Sequence, residues 1–460
     1  MLQDLIGAYK VDFKNHTELR AQVNTSNRVT LLAGNMVSNT QSSTGGVSAR
    51  VYKGGTYGFS SSAEYTNESI KNVLTAATEN AEFMDKHVNK AMPPLPAVQA
   101  GSVGLKTIPG KQVPQSFLID IANDLDNFIT EKYKGLTSRT VVADILDIEK
   151  LIVVSDSTDI HLFQPRSTIY VFMSAETDDG VPVELFHPFS EFGRFDELYP
   201  DISVLTPELD KLYESLMHKR EGTYSKAGLC KCVMHPELAG ILAHEAVGHT
   251  VEADLVLGGS VAGHNLNKKV ASELVTMIDF AHTAFDKPCP LPVYVDDEGV
   301  PAEDVVLIED GILKNFMHSR ETARHFDVKP QGNARGFLFS DEPLIRMRNT
   351  VILPGKSKLD DMIASIDDGY YLVKTGNGQA DSTGEFMFSV ELGYEIKNGR
   401  LGKAIRETTI AGVAFEMLKT VDMVSDDMFW SISGFCGKKQ PMTTGMGGPA
   451  VRCEINIGGR

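Results

Sequence analysis

Residues 235–254 read HPELAGILAHEAVGHTVEAD and form the helical pattern that opens the second half of the chain. Pro236 suits the first position of a helix, because the N–H that proline lacks would have no partner there. Within the stretch, His244, Glu245 and His249 form an HExxxH pattern, one residue longer than the HExxH pattern of many zinc peptidases. The pattern places metal-ligand side chains in the interior of a helix.

The residue types of this pattern suit metal-assisted hydrolysis. Two neutral imidazoles are good zinc ligands, and a glutamate beside the first histidine can take a proton from metal-bound water. A metal lowers the pKa of that water to roughly 7, which makes hydroxide available at neutral pH. The small residues Ala243, Ala246 and Gly248 leave room around a metal. By itself the pattern can also arise by chance, since the chain has 12 histidines.

A spacing of five residues does not place two side chains on one face of an ideal α-helix. At about 100° per residue, five residues turn the chain through about 500°, which is about 140° past a full turn. We therefore predict a π-type bulge or kink at residues 247–249, a distortion that often occurs at functional sites. Gly248 would lower the steric cost of this distortion.

A catalytic zinc site needs a third protein ligand and leaves its fourth position to water. The candidates are Glu252, Asp254, the other histidines and the five cysteines. Cys436 lies in the sequence SGFCGKK, in which nearby glycines allow close backbone approach and two lysines favour a thiolate. The alternative role for a free cysteine is that of a small buried hydrophobe, and the residues alone leave the choice open.

Other groups near the motif are assigned different roles. Cys230 and Cys232 form a CxC pair, but no second pair at zinc-finger spacing accompanies them, so we place them at alternate positions of a strand. Glu252 and Asp254 are expected to orient a metal-bound imidazole or to lie on the helix surface.

The rest of the chain predicts an α+β fold with two domains, 1–220 and 221–460. In the first, strand and helix patterns follow the order β-β-β-α-α-β-β-β, which predicts helices packed on an antiparallel sheet. The strand patterns lie before the helices at 18–23, 29–32, 47–52 and 56–59, and after them at 140–146, 151–154, 160–163 and 167–176. The helix patterns cover residues 67–89, 116–133 and 207–220. The second domain is rich in glycine and short strand patterns. It is predicted to be a mainly-β barrel or sandwich-like domain with an embedded metal-binding helix.

Composition narrows the function classes. The 44 basic and 61 acidic side chains give a formal charge of −17, which repels phosphate backbones, so no nucleic-acid partner is expected. No run of about 18 apolar residues occurs, and residues 1–15 lack the apolar core of a signal peptide, so no membrane association is expected. Five cysteines are too few for a disulfide scaffold and fit reduced thiols, which predicts a cytoplasmic protein.

The stretch 240–254, with HEAVGHTVEAD at its centre, resembles the TldD branch of the TldD/PmbA (TldE) family of zinc metalloproteases. The resemblance covers nearly the whole chain. It includes VYKGGTYGF at 51–59, VDDEG at 295–299, RMRNT at 346–350 and GFCGK at 434–438.

The resemblance implies a specific site and partners. Zinc would be held by His244, His249 and the late cysteine, Cys436, with Glu245 as general base. Family members form dimers, so the chain would be a homodimer or a heterodimer with a TldE-like paralogue. Their substrates are small or unfolded polypeptides. An old family label as a modulator of DNA gyrase does not imply DNA contact here, because the charge of −17 argues against it.

The function expected from these observations is that of a zinc-dependent peptidase acting on small or unfolded polypeptides. Extended substrate is expected to pair with an exposed strand edge of the β domain. The alternative is a non-catalytic binding or scaffold subunit of a TldD/TldE-type complex. The presence of the full set His244, Glu245, His249 and Cys436 argues against that alternative.

Overall fold

The computed structural model describes residues 8–87, 92, 94–98, 112–156 and 159–459. Two earlier expectations fall partly outside these ranges. Residues 1–7 belong to the segment 1–15, in which no signal peptide is expected, and residues 88 and 89 belong to the helix predicted at 67–89. Among the described helices, none is both long and apolar enough to cross a bilayer.

The first half of the chain is built on a six-stranded antiparallel sheet. Its strands are β1 (His16–Leu32), β2 (Asn35–Lys53), β3 (Thr56–Ser62), β4 (Leu136–Val154), β5 (Asp159–Glu176) and β6 (Pro182–Phe192). They lie in the order β3-β2-β1-β4-β5-β6, so β3 and β6 form the edges. The predicted antiparallel sheet with packed helices is confirmed.

The strands are longer than the sequence patterns that predict them. The patterns at 18–23 and 29–32 both belong to β1, which pairs with β2 and β4 even through the polar residues 24–28 that separate the two patterns. β6, which contains Pro188, has no counterpart among the predicted strand patterns. A proline is tolerated there because β6 is an edge strand, where one N–H group per residue pair has no ladder partner.

Helices pack on one face of this sheet. The helix Asn67–Asp85 begins at Thr66, whose side chain accepts a hydrogen bond from the Ser69 N–H. Its buried face packs on Leu19 and Ala21 of β1, and the helix Gln115–Lys132 packs further along the same face of that strand, on Val29 and Leu31. The helix Thr206–Arg220 joins the second of these clusters. A single helical turn lies at Phe195–Leu198, and short 3-10 turns lie at Ala8–Asp12 and Ile202–Val204.

The second half contains a closed barrel, which confirms the predicted mainly-β domain. Around the barrel run the strands Asp368–Ala380, Gly228–Met234, Val451–Ile457, Thr408–Val413 and Glu385–Lys397. Pairing of the first with the last closes the ring. Arg400–Ile405 and Met423–Val424 pair on its outside. A second, six-stranded sheet has the order Ile312–Leu313, Val305–Glu309, Met277–Phe280, Asn349–Ile352, Gly445–Gly448 and Phe429–Ser431.

Short elements complete this half. The two-stranded pairs are Thr283–Ala284 with Lys287–Pro288, Ala334–Arg335 with Leu344–Ile345, and Phe435–Cys436 with Met442–Thr443. The helices are Pro236–Leu242, Ala253–Leu257, Arg320–Phe326, Leu359–Ala364 and Ala414–Lys419, and a 3-10 turn lies at Val261–His264.

The helix that begins at Pro236 lies between the barrel and the second sheet. It contacts the barrel strand Asp368–Ala380 on one side and Gly445–Gly448 on the other. At Gly240 a Cβ atom would lie 2.8 Å from the Cα of Gly447, so only glycine allows this close packing of helix on strand. The helix is thereby fixed against both β structures.

A buried ionic group joins the two halves, and we call it the Asp297 cluster: Arg20, Lys150 and Asp297. Lys150 Nζ donates to the two Asp297 carboxylate oxygens at 3.0 and 2.8 Å, and Arg20 Nη1 donates to Oδ2 at 2.8 Å. The division into domains 1–220 and 221–460 stays a prediction. An apolar cluster with Leu209 and Leu212 from the first half also includes Leu392 from the second.

Candidate metal centre

The HExxxH stretch leaves α-helical geometry where the two histidines lie. The α-helix ends at Leu242, a π-helical segment follows at Ala243–Gly248, and a 3-10 turn at His249–Val251 ends the helix. The backbone N–H of His249 donates to the carbonyl of His244, a bond across five residues. The predicted π-type distortion is confirmed, although it begins earlier than the predicted residues 247–249. The five-residue spacing thereby becomes one turn, and the two imidazole centroids lie 5.2 Å apart.

The structure shows that packing, and not backbone conformation, favours a glycine at residue 248. Its φ of −53° and ψ of −48° lie in the ordinary right-handed helical region, so the π-turn needs no unusual backbone freedom at this residue. The constraint is space, because a Cβ at this position would lie 2.1 Å from the sulfur of Met347. Gly248 therefore allows the segment around Met347 to lie against the helix.

Cys436 lies beside both histidines, and we call His244, His249 and Cys436 the His244 cluster. A short hairpin, in which Phe435–Cys436 pairs with Met442–Thr443, carries the cysteine back to the helix. Cys436 Sγ lies 3.2 Å from His249 Nε2, and one ligand atom of each residue lies within 4.8 Å of the others. Within the described part of the chain, these three form the group of His, Cys, Asp or Glu side chains that could hold a metal ion.

The chemistry of this cluster fits a zinc ion. His244 is fully buried, and neither of its ring nitrogens has a hydrogen-bond partner among the described residues. A buried polar atom without a partner costs about 1–3 kcal/mol, which a metal bound to that nitrogen would offset. Histidine nitrogen and cysteine sulfur both bind zinc, and catalytic zinc sites use three protein ligands. The assignment of these residues as ligands stays a prediction.

Glu245 lies at the open side of the cluster. Its carboxylate oxygens lie 3.9 Å from His244 Nε2 and 3.7 Å from His249 Nε2, and the side chain is 33% exposed. The carboxylate can therefore reach both the candidate metal position and solvent. This is the placement that a general base next to a metal requires.

Glu252 orients His249, and Lys438 pairs with Glu252 in turn. Glu252 is fully buried and its Oε2 lies 2.8 Å from His249 Nδ1, which leaves Nε2 directed at Cys436. Lys438 Nζ lies 3.2 Å from Glu252 and 2.7 Å from Asp254. The expectation that Glu252 orients an imidazole agrees with this contact, whereas Asp254 contacts only the lysine of this group. Such carboxylate–histidine pairs fix the tautomer of metal ligands.

The cysteines differ in acidity according to their surroundings. Burial raises the pKa of Cys436. The neighbouring imidazoles of His244 and His249 together lower it by more, so that the pKa is about 4. In contrast, burial raises the pKa of Cys453 to about 12. Lys438 was predicted to favour the Cys436 thiolate. Its ammonium group pairs with the carboxylates of Glu252 and Asp254 instead.

The remaining cysteines lie apart from the cluster. Cys230 and Cys232 occupy alternate positions of the barrel strand Gly228–Met234, as predicted, and Cys232 lies opposite Cys453 in the register. All five cysteines fall within the described residues and carry free thiols.

Two neighbouring cavities open beside the cluster. The smaller, of about 190 Å³, is lined by His244, Glu245 and Cys436 together with apolar residues from both halves of the chain. The larger, of about 1210 Å³, shares with it the wall formed by Pro188, Glu237, Phe429 and Ser431. Two sheet edges, β6 and Phe429–Ser431, therefore border a cleft that ends at the His244 cluster.

The fold and the site define an α+β protein whose barrel half carries a His–His–Cys candidate metal centre on a π-turned helix. Comparison with protein-family models gives two matches: the PmbA/TldA metallopeptidase C-terminal domain over residues 227–459, and the PmbA/TldA metallopeptidase domain 1 over residues 17–81. The chain belongs to this PmbA/TldD metallopeptidase family, which confirms the resemblance found in the sequence.

Curated relatives agree with the family. A metalloprotease of Methanocaldococcus jannaschii is 31% identical over 96% of this chain and 97% of its own length. A protein named zinc metalloprotease TldD homolog, from Saccharolobus solfataricus, is 36% identical over 56% of this chain and 58% of its own length. Among solved structures, TldE from Thermococcus kodakarensis superposes with a TM-score of 0.79 over 100% of both chains at 18% identity. That likeness concerns the fold.

Proposed function

We propose that the chain is a zinc-dependent peptidase that hydrolyses peptide bonds of small or unfolded polypeptides. The observation that carries the proposal is the convergence of His244, His249 and Cys436 within 4.8 Å, with the Glu245 carboxylate beside them. The names of the relatives, which include metalloprotease and zinc metalloprotease, support the same activity.

In this proposal the chain's own groups divide the work. His244, His249 and Cys436 hold the metal, and Glu252 keeps His249 in the tautomer that exposes Nε2. A zinc ion bound there would polarise a peptide carbonyl and lower the pKa of a water molecule. Glu245 accepts the proton of the attacking water at its carboxylate and passes it to the leaving amine.

The cleft supports a polypeptide substrate. Phe429–Ser431 is an edge strand of the second sheet and lines both cavities, so an extended chain could pair with it and reach Glu245. A bound peptide that makes no strand-type backbone hydrogen bonds would contradict this part of the proposal. We also propose that the chain forms a homodimer, or a heterodimer with a TldE-like paralogue. Its proposed location is the cytoplasm.

The substitution Glu245→Ala tests the mechanism. Zinc should remain bound, because the three ligands are intact. Proteolysis of an unfolded polypeptide should fall by roughly a hundredfold or more, the usual contribution of a general base. The measurements are the zinc content of the purified protein and the initial rate of cleavage.

The control is Glu416→Ala, which removes an exposed glutamate that pairs with the exposed Lys419, and it should leave the rate unchanged. Equal activity of Glu245→Ala and the wild type would contradict the mechanism. Strongly substoichiometric zinc in wild-type protein expressed with added zinc would instead favour the non-catalytic scaffold subunit.

A further inference from the structure

One fully buried arginine holds the loop that carries Cys436. Arg346 Nη2 donates to the carbonyl of Cys436 at 2.7 Å, and Nη1 donates to the carbonyls of Lys438 and Gln440 at 2.7 and 2.9 Å. Within the described residues, no carboxylate lies within ion-pair distance of this guanidinium. Its hydrogen-bond acceptors are therefore backbone carbonyls of a single loop, residues 436–440.

The arginine is itself held in place. Its backbone N–H donates to the carbonyl of Asn333 at 2.8 Å, next to the short strand pair formed by Ala334–Arg335 and Leu344–Ile345. The following residue, Met347, lies against Gly248 of the metal-site helix. Arg346 thus connects the helix that carries both histidines to the loop that carries the cysteine.

The other side of the loop is anchored from the first half of the chain. The carbonyl of Ser433 accepts hydrogen bonds from Arg166 Nη2 and from the Tyr170 hydroxyl, each at 2.9 Å, and both residues lie on β5. Cys436 is therefore fixed from two directions. A change at Arg346 would release the side of the loop that faces the helix, while the Ser433 side would stay anchored.

We infer that Arg346 is a positioning residue that places the Cys436 sulfur for metal binding; the inference rests on the proposed zinc site. A zinc–sulfur bond of about 2.3 Å leaves little tolerance for ligand displacement. A site held within about 0.5 Å of its productive geometry binds better than one that must be ordered on binding. The guanidinium supplies that order because its planar set of donors bonds three carbonyls at once.

Arg348 provides a matched control. It lies two residues further on and is equally buried, and its guanidinium donates to the carbonyls of Gln331 and Glu303 and to the Asp279 carboxylate. Among the described residues, its hydrogen bonds do not include the loop at 436–440. A lysine at either position loses the planar donor set, so both variants should lose stability, but only one should lose metal affinity.

The experiment compares Arg346→Lys with Arg348→Lys. Zinc affinity is measured by competition with a chromogenic chelator, and urea unfolding of the metal-free proteins measures stability. Cobalt substitution adds a spectroscopic measurement, because a cobalt–thiolate bond gives a near-ultraviolet charge-transfer band. Arg346→Lys should weaken zinc binding by about 10- to 100-fold, as loss of an outer-shell group does, and should reduce the cobalt–thiolate band. Arg348→Lys should keep wild-type zinc affinity.

Each outcome decides between distinct claims. Zinc affinities of the two variants within twofold of each other would overturn the positioning role while leaving the metal site intact. A wild-type chain that binds no zinc would overturn the proposed function and this inference together. If Arg346→Lys does not fold, Arg346→Gln, which keeps an amide donor without the charge, gives the same comparison with Arg348→Gln.

Discussion

Two buried polar clusters of this chain differ in how completely their atoms are paired. In the Asp297 cluster, both carboxylate oxygens accept hydrogen bonds from Lys150, and Oδ2 also accepts from Arg20 and from the Gly336 N–H. In the His244 cluster, the two nitrogens of His244 have no partner among the described residues. In the first cluster, which joins the two halves of the fold, both Asp297 oxygens have hydrogen-bond donors. In the second, the His244 nitrogens need a ligand to complete their bonding.

The largest expected effect comes from breaking the Asp297 cluster. Asp297→Asn leaves Arg20 and Lys150 as buried cations without their counter-charge, and the free energy of unfolding should fall by about 3–5 kcal/mol. Urea unfolding of the metal-free protein measures it. The control is Asp368→Asn, which breaks an exposed pair with Lys397 and should cost less than about 1 kcal/mol. Equal losses in the two variants would contradict a structural role for the cluster.

An intermediate effect is expected from Glu252, which belongs to the surroundings of the metal site. Glu252→Gln keeps the shape of the side chain but weakens its hold on His249 Nδ1, so zinc affinity should fall by about 10- to 100-fold. Chelator competition measures the affinity. Asp254→Asn is the matched control, because Asp254 contacts Lys438 and not His249. If both variants bind zinc equally well, Glu252 does not orient the ligand.

The smallest expected effect sharpens the contrast between the clusters. His244→Leu replaces an imidazole with two unpaired nitrogens by an apolar side chain, so the metal-free free energy of unfolding should stay within about 1 kcal/mol of the wild type. Added zinc should no longer raise the melting temperature of this variant. A loss of stability as large as that of Asp297→Asn would show that His244 is a structural residue.

Local sequence patterns predicted those elements whose structure depends on residues near each other in the sequence. The helix at Asn67–Asp85 was predictable because Ile70, Val73, Ala77 and Ala81 recur at helical spacing on one buried face. The full length of β2 was not, because residues 35–46 are mostly polar and exposed and pair with β1. The closed barrel depends on pairings between distant segments, such as Cys232 with Cys453, which no local pattern reveals.

In the candidate site, too, the local features could be predicted and the contacts between distant residues could not. The spacing of His244 and His249 was sufficient to predict the π-type turn, because the alternative geometry separates the two side chains. Cys436 could be nominated but not chosen from its neighbours, since its approach to His249 spans 187 residues of sequence. Arg346 lies in the RMRNT stretch of the family resemblance, but that stretch did not indicate what the arginine does. Its role depends on backbone carbonyls of a distant loop, which have no signature in the side-chain sequence.

The close contact between Gly248 and Met347 has a consequence for how this chain can vary. A methyl group at residue 248 would press on the sulfur of Met347, whose neighbour Arg346 holds the cysteine loop. The fully buried Met347 side chain would then have to move, directly beside the arginine that bonds the cysteine loop. A substitution at residue 248 would therefore act on the surroundings of the site while all three candidate ligands and Glu245 remain in the sequence. Residue 248 belongs beside these four residues whenever this chain is compared with its relatives.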